Sequence, residues 1–187
     1  SGRALLGLLL MALKRKAGLK RNRVLIPGYT CYSVAASVAR AGLEIACYDL
    51  DPSTLSPDMN SVHSMAGENT LAVIGQHIFG LPTPMDELKS VAHGVGASLI
   101  EDTAQGLGGT FEGRKLGTMG DFGLFSFGRG KPLPLGGGGA FVGSAEVVES
   151  LISGPTSSGY LDLARVASSR ILSHKGIYGV LEALPLG

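Results

Sequence analysis

Short apolar stretches alternate with amphipathic stretches along most of this chain. Apolar runs of strand length lie at residues 23–27, 43–50, 71–78 and 97–100. Helical periodicity follows at 34–41, which closes at Gly42, and helix starts are predicted at Ser56-Pro57 and at Thr83-Pro84. Strands that alternate with helices indicate βαβ units, so we predict an α/β fold with a mainly parallel sheet.

The pattern continues at both ends of the chain. Residues 4–16 predict a buried helix with Ser1 as its N-cap, because this apolar run is too short to span a bilayer. Its basic residues follow the run, whereas those of a signal peptide precede it. After Lys131 come a glycine run, a strand at 140–142 and helix-like residues from Ala145, and the segment 160–186 also has helical character.

Composition narrows the class of protein. With 187 residues, 44% of them hydrophobic, and a net charge of +1, the chain suits a globular domain with no general attraction to nucleic acid or membranes. Cys31 and Cys47 are too few for a disulfide framework, which favours a reduced, cytoplasmic setting. His63, His77 and His93 are too dispersed for a zinc motif, so no metal site is predicted. His77 is interpreted instead as a hydrogen-bonded residue at a strand end.

An acid, a serine and a lysine follow two apolar runs in the stretch 99–131. Asp102 ends the first run, and in open α/β sheets ligands bind at the carboxyl ends of strands. Ser126 lies between two phenylalanines at the end of the second run, and Lys131 lies in a loop between glycines and prolines. A carboxylate for a pyridinium nitrogen, a hydroxyl for a phosphate and an amine for an aldehyde suit pyridoxal phosphate (PLP). We therefore predict a PLP site.

Each of these residues also has a structural interpretation. Asp102 suits a cap on the next turn equally well, and a lysine taken alone is usually a solvated surface residue. Arg129 is interpreted as a surface charge in preference to a phosphate contact. At the start of the first helix, Gly2 and Arg3 would add backbone N–H groups and the helix dipole to a phosphate site.

Other phosphate-binding motifs fail residue by residue. A Walker A loop that ends at Gly130-Lys131 would need glycine at position 125 and serine or threonine at 132, where the chain has Phe125 and Pro132. The glycines near Gly106 are followed by Phe111 where a dinucleotide fingerprint needs its third glycine. A generic nucleotide-binding protein is therefore the weakest of the interpretations.

The ordered motifs of the chain resemble those of the DegT/StrS family of sugar aminotransferases. The likeness runs from Ser1 to about Ser144. It includes Ile26-Pro27-Gly28-Tyr29-Thr30, His77-x-x-Gly80-x-Pro82, Glu101-Asp102-x-Ala104-Gln105 and Phe125-Ser126-Phe127-x-x-x-Lys131. The Asp-x-Ala-Gln and Phe-Ser-Phe-x-x-x-Lys pieces, in this order and spacing, make the resemblance specific.

The resemblance implies a fold and a role for each motif residue. The fold would be the three-layer α/β large domain of fold-type I PLP-dependent transferases. The implied residues are Lys131 as the catalytic Schiff-base lysine, Asp102 beside the ring nitrogen, Gln105 against the ring, and Ser126, Gly2 and Arg3 around the phosphate. The family stacks an aromatic residue on the ring at the position of Cys31, so that either this thiol or the neighbouring Tyr32 would take that place.

The resemblance also implies an activity. Family members are homodimers that move an amino group, usually from glutamate, to a keto group of a nucleotide-linked sugar, for polysaccharide or secondary-metabolite biosynthesis. Some relatives dehydrate the sugar and have histidine in place of the lysine, so Lys131 argues against that branch without excluding a dehydrating lysine enzyme. A non-catalytic or regulatory PLP-binding member is a further alternative.

The family also implies a domain division. Residues 1–150 would form the PLP-binding large domain, shortened at its amino terminus, and residues 151–187 a helical linker toward a small carboxy-terminal domain. Family members are considerably longer than this chain and use the small domain in substrate binding. We therefore expect the chain to be a fragment that is not fully active alone.

Overall fold

Strands and helices alternate along the chain as the sequence predicts. The computed structural model describes residues 2–18 and 20–147. Its helices are α1 (Gly2–Ala17), α2 (Tyr32–Arg40), α3 (Met59–Met65) and α4 (Met85–Gly94), with a 3₁₀ turn at Ile78–Gly80. Its strands are β1 (Arg23–Pro27), β2 (Glu44–Tyr48), β3 (Thr70–Gln76), β4 (Ser98–Asp102), β5 (Thr110–Phe111), β6 (Arg114–Lys115), β7 (Phe122–Ser126) and β8 (Gly139–Val142). The predicted cap at Ser1 and the predicted linker 151–187 lie outside the described residues.

The main sheet is parallel except at one edge. Its strand order is β2-β1-β3-β4-β7-β8, and β8 alone among these strands is antiparallel to its neighbour. The chain passes from β1 to β2 on one side and then places β3 on the other side of β1. This reversal opens a crevice between the carboxyl ends of β1 and β3, where ligands bind in sheets of this kind. Strands β5 and β6 form a separate hairpin.

Apolar side chains bury both faces of the sheet. Alternate strand residues such as Val24, Ile74 and Ile100 pack under α1 and α2. The residues between them, such as Leu25 and Leu99, pack against α3 and α4. Burial on both faces explains why the central strands read as continuous apolar runs, and it gives the predicted three layers.

Helix α1 brings its amino terminus to the end of β7. Leu6, Leu9, Leu10 and Leu13 are buried against the sheet, which agrees with the predicted buried helix. At its first residue, a Cβ atom added to Gly2 would lie 3.2 Å from the Cβ of Ser126. Glycine therefore permits this close approach of helix and strand. Among the described residues, no helix has the length and apolar character needed to cross a membrane.

Two predicted helix starts are wrong in detail. Helix α3 begins two residues later than Ser56-Pro57 predicts, because Asp58 is its N-cap and accepts the N–H of Asn60 at 2.9 Å. Pro57 instead forms a β-bridge with Leu50. Helix α4 begins at Met85, and the predicted cap Thr83 makes no cap hydrogen bond, since its Oγ1 donates to the carbonyl oxygen of Gln76 at 2.7 Å.

Candidate functional site

A pocket of about 470 Å³ opens at the carboxyl edge of the sheet. The loops after β1, β3, β4 and β7 contribute to its lining, together with the amino-terminal residues of α1 and α2. All predicted site residues line it: Gly2, Arg3, Cys31, Tyr32, Asp102, Gln105, Ser126 and Lys131. The fold therefore brings together side chains that are up to 129 positions apart in the sequence, from Gly2 to Lys131.

Asp102 supplies a buried carboxyl group to the pocket. It is the last residue of β4, and strand alternation turns its side chain toward the α1 side of the sheet, where it is 5% exposed. The N–H of Ala104 donates to its Oδ1 at 3.0 Å, so the predicted turn contact exists alongside the pocket position. Burial raises the pKa of Asp102, while the Ala104 N–H and the charge of Lys131 act in the opposite direction.

Lys131 lies in the loop that follows β7. Its N–H donates to the carbonyl oxygen of Gly128 at 3.3 Å, and Gly130 has a left-handed φ of 73°, so the chain turns before the lysine. Its charge opposes the burial that raises the pKa of Asp102, and it helps to lower the pKa of Cys31. The amine is thus electrostatically coupled to the other two groups of the pocket. Arg129 is exposed and lies outside the pocket lining, which agrees with its interpretation as a surface charge.

The amino terminus of α1 and the end of β7 form one wall. Gly2 and Ser126 are in van der Waals range, with an added Cβ on Gly2 at 3.4 Å from Ser126 Oγ. Arg3 donates from Nη1 to the hydroxyl oxygen of Tyr32 at 3.2 Å, and its guanidinium lies 5.8 Å from the centre of the Tyr32 ring. Backbone N–H groups, a hydroxyl and a cation therefore face the same part of the pocket, which is the composition of an anion site.

Cys31 and Tyr32 both lie at the pocket mouth, and both are exposed. The Ser33 hydroxyl donates to the Cys31 sulfur at 3.1 Å, and this bond, helped by the charge of Lys131, lowers the pKa of the thiol. Tyr32 is 73% exposed and is engaged by Arg3. That one of these two side chains stacks on the ring of the cofactor stays a prediction.

Gln105 is oriented by the turn after β3. Its Oε1 accepts the N–H of Phe79 at 2.9 Å, which leaves its amide N–H₂ as the available donor. Phe79 has a φ of 55°, which is uncommon for a bulky residue, and is 62% exposed beside Tyr29. The sequence contains no local sign of this contact, because the two residues belong to different strand ends.

The sequence did not reveal the environment of Glu101. This carboxylate is buried on the opposite side of β4 from Asp102, where it binds His77 at 2.8 Å. The interpretation of His77 as a hydrogen-bonded strand-end residue is confirmed. Strand alternation was the available signal, since two adjacent acids at a strand end must point to opposite faces. Within residues 2–18 and 20–147, no group of three potential ligands is placed to hold a metal ion.

Comparison with known sequences identifies relatives of this region. A model of the DegT/DnrJ/EryC1/StrS aminotransferase family matches residues 1–160. The L-glutamine:2-deoxy-scyllo-inosose aminotransferase of Streptomyces kanamyceticus is 37% identical over 142 residues, which are 76% of this chain and 33% of that protein. The UDP-N-acetyl-3-dehydro-alpha-D-glucosamine 3-aminotransferase of Acidithiobacillus ferrooxidans is 32% identical over 146 residues, 78% of this chain and 39% of the relative. The chain thus spans between about a third and two fifths of the length of these relatives.

Solved structures share the fold. The sugar aminotransferase CalS13 from Micromonospora echinospora matches with a TM-score of 0.71 and 30% identity, over 80% of this chain and 42% of that chain. The GDP-4-keto-6-deoxy-D-mannose-3-dehydratase of E. coli, solved with bound hydrated PLP, matches with a TM-score of 0.73 and 25% identity, over 81% and 40%.

These matches confirm two predictions from the sequence, the α/β fold of PLP-dependent aminotransferases and the cofactor. The sequence match also includes every residue that lines the pocket, from Gly2 to Gly138. The matched range therefore contains the loops that carry the chemical groups as well as the sheet. On this evidence the chain belongs to the DegT/DnrJ/EryC1/StrS family of PLP-dependent aminotransferases.

Proposed function

We propose that this chain forms the cofactor-binding part of an aminotransferase that transfers an amino group from glutamate to a keto group of a nucleotide-linked sugar. One observation carries the proposal. The amine of Lys131, the buried carboxyl group of Asp102 and the anion-binding wall of Gly2 and Ser126 line one pocket. These are the three groups that the aldehyde, the ring nitrogen and the phosphate of PLP require.

The electrostatics of Asp102 support the fit. A buried carboxyl group with a raised pKa is disfavoured as a lone anion, so a cation placed beside it is stabilised. A protonated ring nitrogen is such a cation. When bound, PLP supplies a ring that accepts electrons from the carbon next to the amino group. Asp102 would keep the proton on that nitrogen.

Lys131 would act at the other end of the ring. A primary amine on a loop reaches the cofactor aldehyde for covalent attachment and, once released, serves as the base that moves a proton between two carbons. Gln105 would donate its amide N–H₂ toward the ring, because its oxygen is already used by Phe79. These roles leave Lys131 as the catalytic residue and Asp102 and Gln105 as cofactor ligands.

The phosphate would lie at the amino terminus of α1. The positive end of the helix dipole, the Ser126 hydroxyl and the Arg3 guanidinium favour a dianion there. The absence of a side chain on Gly2 lets the helix N–H groups come close to Ser126. Such a site would hold the cofactor by its phosphate, independently of any bond to Lys131.

The names of two relatives suggest a second candidate for the amino acceptor. The relative from Streptomyces kanamyceticus is named for 2-deoxy-scyllo-inosose and L-glutamine, while the relative from Acidithiobacillus ferrooxidans is named for a UDP-linked sugar. A free keto-cyclitol with glutamine as donor is therefore the second candidate.

We further propose that the protein works as a homodimer. Three large aromatic side chains that line the pocket are exposed, namely Tyr29, Tyr32 and Phe79, and Leu81, Leu133 and Leu135 are exposed as well. Apolar surface of this kind is often covered by another protein surface. Analytical ultracentrifugation of the protein tests this directly, and a monomer at every concentration measured would overturn it.

Covalent labelling tests the cofactor site. The protein is mixed with PLP, reduced with borohydride and digested, and the peptides are identified by mass. We expect a visible absorption band before reduction and a pyridoxyl adduct on Lys131. Lys131→Ala abolishes both, whereas Lys115→Ala, which removes an exposed lysine on β6, leaves both unchanged. A folded protein without the band, or an adduct spread over several lysines, would refute the proposal.

Half-reactions then identify the substrates. L-glutamate and L-glutamine are compared as donors by the loss of the visible band. The protein, with the amino group now carried by its cofactor, is then mixed with a UDP-linked keto-sugar or with 2-deoxy-scyllo-inosose. Return of the band with the UDP-linked compound after glutamate supports the first candidate. Return with the cyclitol after glutamine supports the second. Dehydration without amine transfer would contradict both.

A further inference from the structure

A buried carboxylate and imidazole lie behind the pocket, on the side of β4 away from Asp102. The side chains of Glu101 and His77 are 0% exposed, and His77 Nε2 lies 2.8 Å from Glu101 Oε1. Backbone N–H groups also donate to the two carboxylate oxygens, from Gly117 at 2.6 Å, Met119 at 2.7 Å and Gly120 at 2.9 Å. The proposed function assigns no role to either side chain.

The hydrogen bonds define the protonation of this pair. The N–H of Thr83 donates to His77 Nδ1 at 3.0 Å, so Nδ1 carries no proton and the ring proton lies on Nε2, which donates to Glu101. Burial alone would raise the pKa of Glu101, but its hydrogen bonds from His77 and the three backbone N–H groups hold the pKa below its ordinary value. The pair therefore consists of an ionised carboxylate and a neutral imidazole.

The pair connects the chain segments that surround Asp102. Glu101 directly precedes Asp102 on β4, and the backbone N–H of His77 donates to the carbonyl oxygen of Asp102 at 3.1 Å. The turn 117–120, which Glu101 binds, leads into β7 and so to Ser126. One buried carboxylate thus joins the ends of β3 and β4 to the approach to β7.

We propose that Glu101 and His77 are positioning residues for Asp102, which hold the end of β4 so that the Asp102 carboxyl group faces the ring nitrogen of the bound cofactor. The inference rests on the proposed function. Its physical basis is that a buried, fully hydrogen-bonded charge has no alternative partners, so any displacement of β4 leaves a donor or acceptor unsatisfied. Neither residue is among those that line the pocket.

A second histidine–carboxylate pair, which contacts the backbone of the same strand, provides a control. His93 Nε2 lies 3.0 Å from Asp121, and Asp121 Oδ2 accepts the N–H of Leu99 at 2.8 Å. The His93 side chain is 52% exposed, and the pair lies at the amino end of β4. This pair has the same two chemical groups as His77 and Glu101. Among the hydrogen bonds of the described residues, however, neither His93 nor Asp121 contacts Asp102.

The test compares His77→Gln and Glu101→Gln with His93→Gln in the full chain. Two quantities are measured: the Kd for PLP by titration of the cofactor-free protein, and the pKa of Asp102 by carboxyl ¹³C NMR without cofactor. We expect Glu101→Gln to weaken PLP binding about tenfold or more, because its amide N–H₂ would face backbone donors. The pKa of Asp102 should fall toward its ordinary value as the carboxyl group gains solvent.

We expect His77→Gln to have a smaller effect than Glu101→Gln on the Kd for PLP and on the pKa of Asp102. Glutamine at position 77 retains an N–H donor for Glu101 but loses the acceptor for Thr83, so His77→Gln should move both quantities in the same direction and by less. It also provides the measurement if Glu101→Gln does not fold. His93→Gln should leave the Kd and the pKa of Asp102 at their wild-type values.

Two results would overturn the inference. If His77→Gln and Glu101→Gln lower the free energy of unfolding while both measured quantities stay at wild-type values, the pair has only a structural role. Equal effects from His93→Gln would lead to the same conclusion. A wild-type protein that binds no PLP would refute the proposed function instead, and the NMR titration of Asp102 would still decide whether the pair positions it.

Discussion

The two edges of the main sheet are built in opposite ways. At the amino edge, side chains close the backbone: Arg21 donates to the carbonyl oxygens of Thr70 and Val95, both at 2.7 Å, and Asp121 accepts the N–H of Leu99. At the carboxyl edge, polar side chains line a pocket of about 470 Å³. Polar groups that satisfy one another stabilise a fold, whereas those that face a cavity are available to a ligand.

Helix polarity explains which edge carries the site. In a parallel sheet with crossover helices, the amino ends of the helices meet the carboxyl ends of the strands. The first residues of α1 and α2, Gly2 and Tyr32, accordingly line the pocket. The positive ends of two helix dipoles therefore face it and favour an anionic ligand. The difference between the edges thus follows from topology as well as from the side chains.

The largest effect is expected from removal of the pocket carboxylate. Asp102→Ala should lower the rate of the half-reaction with the amino donor about 10²–10³-fold, because the ring nitrogen loses its charged partner. Stopped-flow absorbance of the protein loaded with PLP measures it. Asp121→Ala, the amino-edge counterpart, should leave this rate near the wild-type value. An equal loss in both variants would show that the edges do not differ in function.

Substitution of one arginine at each edge should change either the free energy of unfolding or the Kd for PLP, but not both. Arg21→Met removes two charge-assisted bonds to partly buried carbonyl oxygens and should lower the free energy of unfolding by about 1–3 kcal/mol, with an unchanged Kd for PLP. Arg3→Met should weaken PLP binding with little change in stability, since Arg3 is exposed. Urea denaturation and PLP titration of both variants give the comparison, and a stability loss of equal size in Arg3→Met would contradict it.

Two glycines on α1 differ in what an added methyl group would contact. Gly2→Ala places a Cβ atom 3.2 Å from Ser126 and should weaken PLP binding about tenfold by pushing the helix away from β7. At Gly7, among the described residues, nothing lies within 4 Å of an added Cβ atom. Gly7→Ala should therefore raise the free energy of unfolding by about 0.5–1 kcal/mol and leave binding unchanged. Similar Kd values for the two variants would argue against a phosphate site at this helix end.

The smallest effect concerns the two adjacent carboxylates and pH. The pKa of Glu101 is lowered on folding, so its stabilising contribution is present above about 4.5, its unfolded value, and is lost as pH falls through the folded pKa. Burial raises the pKa of Asp102, so its contribution is complete below about 3.8 and is lost as pH rises through its folded pKa.

Cofactor-free variants measure this difference by urea denaturation across the acid range. The stability gap between wild type and Glu101→Gln should narrow as pH falls below about 4.5. Relative to Asp102→Asn, the wild type should instead lose stability as pH rises above about 3.8. Each slope is limited to about 1.4 kcal/mol per pH unit. Parallel curves for the two comparisons would show that both carboxylates share one environment.

Much of the fold could be predicted from periodicity alone. Every strand predicted from an apolar run is present, and Gly42 ends the region of α2 with a φ of 67°. The starts of α3 and α4 could not be predicted as well. Ser56-Pro57 and Thr83-Pro84 have the composition of a helix start, but Pro57 pairs with Leu50 and Thr83 binds Gln76. Contacts with residues distant in sequence outweigh a local capping preference.

The sequence by itself determined which chemical groups the pocket contains. Asp102, Ser126 and Lys131 each follow an apolar run, and parallel strands bring their carboxyl ends to one edge. Only the tertiary structure decided how those groups are held. It placed Glu101 and Asp102 on opposite sides of β4, paired His77 with Glu101, and turned the Gln105 oxygen toward Phe79. The physical reason is that strand order and side-chain contacts join residues far apart in sequence, whereas periodicity reports only on the local backbone.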